Sequence, residues 1–251
     1  MENLGIIIQA RTGSTRLPFK MTLPFFNDRG ILELLLSRLK KAGLADKTIV
    51  ATTENVRDDI ICNIARNAGV SYFRGSESDV LDRFIQAANH YHVSKIIRIC
   101  ADNPFLDIPA LNELIALGRD TDIDYVSHCV SSGIPTIKTH FGFWAEYVAL
   151  KALKSVSDMT DESIYHEHVT NYIYTHPDSF KVRLIPIPLA LENRKIRLTI
   201  DTLDDFRMQQ GIYESVYDDM RDFRIEDVVD YLDRHAELYL TMDGMIRANQ
   251  K

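Results

Sequence analysis

Apolar and polar positions alternate in two different periods through the first hundred residues. Short β-branched or apolar runs at residues 6–8, 48–52, 70–73 and 95–100 predict strands, and the strand at 95–100 is predicted to be buried. Between them, apolar residues at helical spacing predict helices over residues 31–42, 56–68 and 79–91. Strands that alternate with helices of this length are typical of an α/β fold, with a largely parallel sheet covered on both faces. Ligands of such sheets bind at the carboxyl ends of the strands.

The second half of the chain is less regular. Its pattern predicts helices over residues 108–117, 146–156, 162–174, 203–217 and 225–235. Strands or extended segments are predicted over residues 123–127, 140–145, 180–188 and 197–200. Residues 129–139 contain Gly133 and Pro135 and are predicted to form a loop. Because we find no repeat, low-complexity segment or linker, a single domain over residues 1–251 is predicted.

Composition narrows the class of protein. The chain has 251 residues, 45% of them hydrophobic and 26% charged, which suffices for a full core and excludes disorder. A net charge of −7 argues against a nucleic-acid partner, because phosphate-backbone binding requires a broad basic surface. The three cysteines are scattered and form no metal or disulfide pattern. With no membrane-length apolar run and no basic leader, we expect a cytoplasmic protein without a membrane partner.

The first candidate chemistry lies in the loop after the opening strand, where residues 9–20 contain a glycine, three hydroxyls and three cations. Gly13 can let backbone N–H groups turn towards an anion. Arg11, Arg16 and Lys20 supply cationic donors for phosphate oxygens. The spacing fits neither the Walker motif nor the dinucleotide-binding motif. A phosphate-binding loop is favoured over the alternative, an ordinary basic surface turn.

Two aspartates follow predicted strands and are candidate metal ligands. Asp102 comes after the strand at 95–100, and Asp201 comes after the segment at 197–200. Carboxylates at such positions can hold a Mg²⁺ ion that carries substrate phosphates. Each also has a structural alternative, because Asp102 can cap the following turn and Asp201 can cap the following helix. The local sequence leaves both interpretations open.

Residues 9–20, Gln-Ala-Arg-Thr-Gly-Ser-Thr-Arg-Leu-Pro-Phe-Lys, resemble the signature of cytidylyltransferases that activate 2-keto acid sugars such as KDO and the sialic acids. The closest similarity is to the spore-coat polysaccharide protein F group. The resemblance implies a Rossmann-like, three-layer nucleotide-diphospho-sugar transferase (GT-A-like) fold, with a mainly parallel mixed sheet and a small dimerisation extension. One position departs, since Phe19 stands where the group has glycine. Either the loop tolerates the ring or nucleotide handling has changed.

Later segments resemble the family in the same order. Asp102 and Asp201 match the leading aspartates of its Asp-x-Pro and Asp-Thr-x-x-Asp motifs, which are implicated in metal binding. Residues 75–84 are similar to the group's Gly-x-x-x-Asp-Val-Leu-Asp-Arg segment, although Arg83 could equally form a surface ion pair with Asp82. Residues 140–145 resemble a strand of KDO cytidylyltransferases, and residues 167–170 resemble Glu-His-Val-Thr of the spore-coat group.

The resemblance implies a CTP-dependent enzyme that transfers CMP to an acidic 2-keto-3-deoxy sugar for surface polysaccharide synthesis, releasing pyrophosphate. It further implies Mg²⁺ as cofactor and a homodimer, with residues 129–190 as the acceptor and dimerisation subregion. The expected catalytic residues are Arg11, Lys20, Asp102 and Asp201, and the last two are the expected metal ligands. The expected nucleotide-binding residues are Ala10, Arg11, Gly13, Ser14, Arg16, Lys20, Thr52, Arg74, Ser76 and Arg83. The expected acceptor-binding residues are His140, Glu167 and His168.

Two alternatives to this function stay open at the level of sequence. A glycosyltransferase of GT-A-like fold also places aspartates and a metal beneath a nucleotide sugar. A non-catalytic nucleotide-binding homologue would suit the departure at Phe19.

Overall fold

The strands join in one seven-stranded sheet within residues 3–119 and 122–248, the parts of the chain that the computed structural model describes. The strands are β1 Leu4–Gln9, β2 Thr48–Thr53, β3 Ser71–Gly75, β4 Lys95–Cys100, β5 Tyr125–Cys129, β6 Glu146–Ala149 and β7 Val182–Pro186. Their spatial order is β3-β2-β1-β4-β6-β5-β7. The first four strands run parallel, β6 is antiparallel to β4 and β5, and β7 is parallel to β5.

Helices connect these strands and continue after the last one. The helices are α1 Ile31–Lys41, α2 Asp59–Ala68, α3 Val80–His90, α4 Ile108–Arg119, α5 Leu150–Met159, α6 Ser163–Glu167, α7 Asn171–Thr175, α8 Leu189–Glu192, α9 Leu203–Val216, α10 Ile225–Arg234 and α11 Ala236–Ala248. Short 3-10 turns occur at Ala45–Lys47, Val56–Asp58 and Thr136–Lys138. Throughout the described residues, every helix is too short or too polar to cross a membrane.

The opening strand shows why the sheet is covered on both faces. Ile6 and Ile8 belong to a core cluster that includes residues of α1, α2 and α4. Ile7, which points to the opposite face, belongs to a second cluster with residues of α3 and α5. An uninterrupted apolar strand of this kind is expected where both faces are buried. The predicted α/β fold with a mixed, parallel-rich sheet is confirmed.

The second half corrects several predicted elements. The helix predicted over residues 146–156 is wrong at its start, because Glu146–Ala149 is strand β6 and α5 begins at Leu150. The single helix predicted over residues 162–174 is divided into α6 and α7. Residues 140–145 and 197–200 form no strand. Leu198 and Ile200 instead donate single backbone hydrogen bonds to the carbonyls of His140 (2.7 Å) and Asp102 (3.0 Å).

Candidate active site

A cavity of about 380 Å³ opens at the carboxyl ends of β1 and β4. Gln9 contributes the end of β1, and Cys100 and Asp102 contribute the end of β4. Because parallel strands end at the same edge of a sheet, the first loop and the Asp102 turn meet here. The opposite walls come from the turn at residues 136–139, from Trp144, and from His168 and Thr170 between or beside α6 and α7.

Lys20 joins the two aspartates that were predicted to bind metal. Its ammonium is 2.9 Å from Asp102 Oδ2 and 3.9 Å from Asp201 Oδ1, and it also donates to the carbonyl of Ile200 at 2.5 Å. Arg16 approaches the same Asp201 oxygen at 2.8 Å. Lys20 is only 8% exposed, so this ammonium lies inside the protein. The structure therefore brings four of the predicted site residues together around one cationic position.

Asp201 is fixed from behind by a fully buried arginine. Arg197 pairs with both oxygens of Asp205 (2.6 and 2.8 Å) and lies 3.3 Å from Asp201 Oδ2. Its remaining terminal nitrogen bonds to His140 Nδ1 at 2.6 Å. His140 thus supports Arg197 and is not among the residues that line the cavity, and its acceptor role stays a prediction. The capping alternative for Asp201 is wrong, because Thr202 caps α9.

The predicted phosphate-binding loop, residues 9–20, is fastened to β2 by Asp58, a residue that sequence reasoning missed. One oxygen of Asp58 accepts from the N–H and hydroxyl of Thr12 (2.8 and 2.6 Å). The other accepts from the hydroxyls of Thr52 and Thr53 (3.0 and 2.5 Å). Burial alone would raise the pKa of Asp58, but these hydrogen bonds outweigh it and lower the pKa. Thr52, which was predicted to bind the nucleotide, is fully buried and donates its hydroxyl to Asp58.

The left-handed position of the loop is at Phe19, not at Gly13. Phe19 has φ of 59°, a region that favours glycine, so the glycine of the resembling family suits this backbone better. The loop nevertheless accommodates Phe19, whose side chain is 40% exposed. Gly13 is not left-handed, and a Cβ atom there would approach only Glu77 Oε1, at 3.1 Å, the end of an exposed side chain that can move.

Two further members of the predicted loop shape its backbone. Ala10 donates its N–H to the carbonyl of Ala51 at 3.2 Å and is buried. The Ser14 hydroxyl accepts from the N–H of Leu17 at 3.3 Å. Arg11, by contrast, reaches out of the loop, donating to Glu77 O at 3.4 Å and approaching Glu167 at 3.9 Å. Arg11 therefore connects the loop at residues 9–20 with Glu167, a predicted acceptor-binding residue.

A second group of predicted residues lies at the end of β3, outside the cavity lining. Arg74 donates to the carbonyl of Thr53 (2.9 Å) and pairs with Asp59 (2.6 Å). Arg83 is fully buried and donates to the carbonyl of Ser76 at 2.6 Å, so its alternative as a surface ion pair is wrong.

Arg83 also retains unused donors. Its Nε and one terminal nitrogen are buried without a hydrogen-bond partner among the described residues. Burial and the nearby Arg11 lower the pKa of Arg83 to about 10. A buried guanidinium with free donors is a group that an anion or a carbonyl of a ligand could satisfy.

His166 ties α6 to the start of α3. Its Nδ1 is 2.7 Å from Asp79 Oδ2, and its Nε2 is 2.9 Å from the carbonyl of Thr160. Both partners are hydrogen-bond acceptors, so this arrangement favours the ring with both N–H groups present, the imidazolium. The Thr160 carbonyl and Asp79 accordingly raise the pKa of His166. This contact positions the adjoining exposed residues Glu167 and His168, the second of which lines the cavity.

A buried ion pair, also missed from sequence, forms part of the cavity wall. Arg98 donates to Glu146 on the neighbouring strand β6 at 2.5 Å and to Gln9 Oε1 at 3.1 Å. Tyr125 and Thr170 donate to the same glutamate. Burial would lower the pKa of Arg98, yet its anionic neighbours raise it, so the guanidinium stays charged. The available signal was an arginine between Ile97 and Ile99, within the apolar run of this strand.

The donor set of this site fits Mg²⁺. Asp102 and Asp201 direct oxygens towards one position, which a cation, the Lys20 ammonium, already approaches. Among the described residues no cluster of three or more His, Cys, Asp or Glu could hold a metal by itself. Mg²⁺ is commonly bound by one or two carboxylates together with substrate phosphates and water. The pair is therefore suited to an ion that arrives with a nucleotide.

Known proteins resemble this chain along nearly its whole length. Residues 5–239 match the family described as cytidylyltransferase. The uncharacterized protein MJ1063 of Methanocaldococcus jannaschii is 39% identical over 238 residues, covering 95% of this chain and 93% of that protein. The spore coat polysaccharide biosynthesis protein SpsF of Bacillus subtilis is 34% identical over 219 residues, covering 85% and 88%.

A solved cytidylyltransferase from Leptospira borgpetersenii has a TM-score of 0.84 at 30% identity, covering 95% of this chain and 97% of that one. The glycosyltransferase and non-catalytic alternatives are set aside. The chain belongs to the cytidylyltransferase family and is a nucleotidyltransferase of its SpsF-like, CMP-sugar synthetase group.

Proposed function

We propose that this enzyme transfers CMP from CTP to a hydroxyl of an acidic, 2-keto-3-deoxy type sugar and releases pyrophosphate, for surface polysaccharide synthesis. The observation that carries the proposal is the meeting of Lys20 and Arg16 with Asp102 and Asp201 beside the cavity. The similarity to SpsF, a spore coat polysaccharide biosynthesis protein, supports the assignment to polysaccharide synthesis.

In the proposed mechanism, the cations of the loop bind and orient the triphosphate. Arg11, Arg16 and Lys20 would pair with its oxygens and offset the charge that develops on the departing pyrophosphate. The hydrogen bonds of Asp58 keep the loop in shape before the nucleotide arrives, so little ordering is needed on binding.

Asp102 and Asp201 would hold Mg²⁺, which when bound supplies Lewis-acid polarisation of phosphoryl oxygens and promotes ionisation of the attacking hydroxyl. Asp102 lines the cavity and can accept a hydrogen bond from that hydroxyl, which orients it towards the α-phosphate. Arg197 and Asp205 prevent Asp201 from turning away. The acceptor would lie in the cavity, beside His168 and near Glu167.

Pyrophosphate release tests this proposal. The enzyme is incubated with Mg²⁺, each ribonucleoside triphosphate in turn, and a panel of sugar acids that includes KDO and several nonulosonic acids. Release with CTP and a sugar acid is the expected result. Release with another nucleotide would overturn the base assignment, and release only with a neutral sugar or a sugar phosphate would overturn the acceptor class.

Three properties stay predictions alongside this reaction. Replacement of Mg²⁺ by Mn²⁺ or EDTA in the same assay tests the metal, and activity that survives EDTA would contradict it. Light scattering of the purified protein tests the homodimer predicted to form through residues 129–190. Fractionation of cells tests the cytoplasmic location.

A further inference from the structure

The loop after β5 forms the outer wall of the cavity and is fixed without a ligand. Cys129 and Pro135 form an isolated bridge at its base. Ser131 donates its N–H and its hydroxyl to Glu192 of α8, at 2.8 and 2.7 Å. The loop ends in the 3-10 turn Thr136–Lys138, all of whose residues line the cavity. The side chains of this turn are therefore presented by a preformed wall.

Among the described residues, both arginines of the cavity lining have an ion-pair partner, whereas Lys138 has none. Arg16 is paired with Asp201, and Arg98 is paired with Glu146. Lys138 is exposed, and its ammonium has no ion pair or hydrogen bond with any residue in 3–119 or 122–248. The wall opposite the phosphate loop thus carries a positive charge that no described carboxylate neutralises.

A hydroxyl donor accompanies this charge. Thr136 is buried, lines the cavity and uses its hydroxyl in no hydrogen bond within the described parts of the chain. The Thr139 hydroxyl is different, because it donates to the Thr136 carbonyl at 2.6 Å. Thr136 and Lys138 line the same cavity, and an ammonium together with a free hydroxyl is a combination that suits a carboxylate.

We propose that Thr136–Lys138 binds the carboxylate of the acceptor sugar, with Lys138 as counter-charge and Thr136 as hydrogen-bond donor. This inference rests on the proposed function and assigns the end of the cavity at which the acid is recognised. Asp102 lines the same cavity, whose volume of about 380 Å³ lies within the range of small-molecule sites. A sugar anchored at the turn can therefore extend its hydroxyl towards Asp102, whereas a neutral sugar gains nothing from Lys138.

The test compares Lys138→Glu and Lys138→Arg with the wild type. Pyrophosphate release is measured with CTP and the best sugar acid of the panel, and kinetic constants are obtained for each substrate. The matched control is Lys47→Glu, because Lys47 is also exposed and also ends a 3-10 turn, Ala45–Lys47. Lys47 precedes the amino end of β2, whereas the cavity lies at the carboxyl ends of the strands.

Lys138→Glu should lower kcat/KM for the sugar acid by about tenfold to a hundredfold, the usual range for a lost charged hydrogen bond. Its KM for CTP should change little, Lys138→Arg should keep most activity, and Lys47→Glu should match the wild type. Normal kinetics for the acid in Lys138→Glu would overturn the inference and leave the proposed function standing. A wild-type enzyme that releases pyrophosphate with no acid of the panel would overturn the acceptor class and this inference together.

Discussion

Replacement of Lys20 by methionine tests the centre of the site, because it removes the ammonium and keeps the length of the side chain. Lys20 lies 2.9 Å from Asp102 and 3.9 Å from Asp201. At an effective dielectric constant of about 20, these distances correspond to gross attractions of about 6 and about 4 kcal/mol, most of which desolvation offsets. In the absence of metal, we expect the free energy of unfolding of the variant to be about 2–3 kcal/mol lower than that of the wild type, because two carboxylates lose a shared cation.

Catalysis should suffer more than stability. Loss of one positioned donor to the developing charge commonly costs about a hundredfold or more in turnover, and we expect that loss in Lys20→Met. Mg²⁺ should raise the melting temperature of the variant more than that of the wild type, because the ammonium no longer competes for the two carboxylates. Pyrophosphate release and thermal unfolding with and without Mg²⁺ measure both effects.

Lys47→Met, far from the site, controls for loss of a lysine. Turnover of Lys20→Met within threefold of the wild type, about 0.7 kcal/mol in activation free energy, would refute the role of Lys20. An equal response of both proteins to Mg²⁺ would refute the assignment of the two aspartates as the metal site.

Phe19→Gly should raise the free energy of unfolding by up to about 1 kcal/mol, since L side chains are disfavoured at this left-handed φ; a less stable variant in urea unfolding would contradict this. Asp58→Asn should cost about 2–4 kcal/mol, because an amide has only one acceptor oxygen for the threonine donors. This difference in the free energy of unfolding should shrink as pH falls through the lowered pKa of Asp58, because the wild-type carboxylate is then protonated. A difference that stays constant down to strongly acidic pH would contradict the role given to the Asp58 carboxylate. His166→Asn should lower the free energy of unfolding more at about pH 5.5 than at about pH 9. The pKa of His166 is raised in the folded state, so its stabilising contribution is complete below the pKa of the unfolded state and is lost as pH rises through the pKa of the folded state. Equal costs at both pH values would show that the ring is not held as an imidazolium.

The opening part of the fold could be predicted because β1, in the interior of the sheet, is apolar on both faces. Ile6, Ile7 and Ile8 are all fully buried, and their uninterrupted apolar run identified the strand from the sequence. The start of β6 failed for the opposite reason. Glu146 resembles an exposed helical residue, yet it is 2% exposed and compensated by Arg98, a partner 48 residues away. Periodicity reports average polarity and cannot see such a pair.

The candidate site shows the same division. Motif resemblance brought Lys20, Asp102 and Asp201 into one prediction, and the structure places them within ion-pair distances. Asp58 belongs to no motif, because its structural role depends on hydroxyl groups that donate to it from two separate segments of the chain. Lys138 was equally hidden, since a lysine in a loop is ordinary until the pairing of every neighbouring cation is known.

The backbone contacts of residues 198–200 also bear on how the enzyme matures during synthesis. Strands β1 to β4 and the turn that carries Asp102 are complete once residue 102 has been made, and Lys20 is by then part of the chain. Asp201 arrives much later, with the segment that bonds to His140 and Asp102. A nascent chain can therefore acquire most of its architecture before it gains its second carboxylate. A polypeptide that ended before residue 201 would lack Asp201 and the late residues of the core cluster that packs around Phe25 and Phe105, and we expect it to release no pyrophosphate.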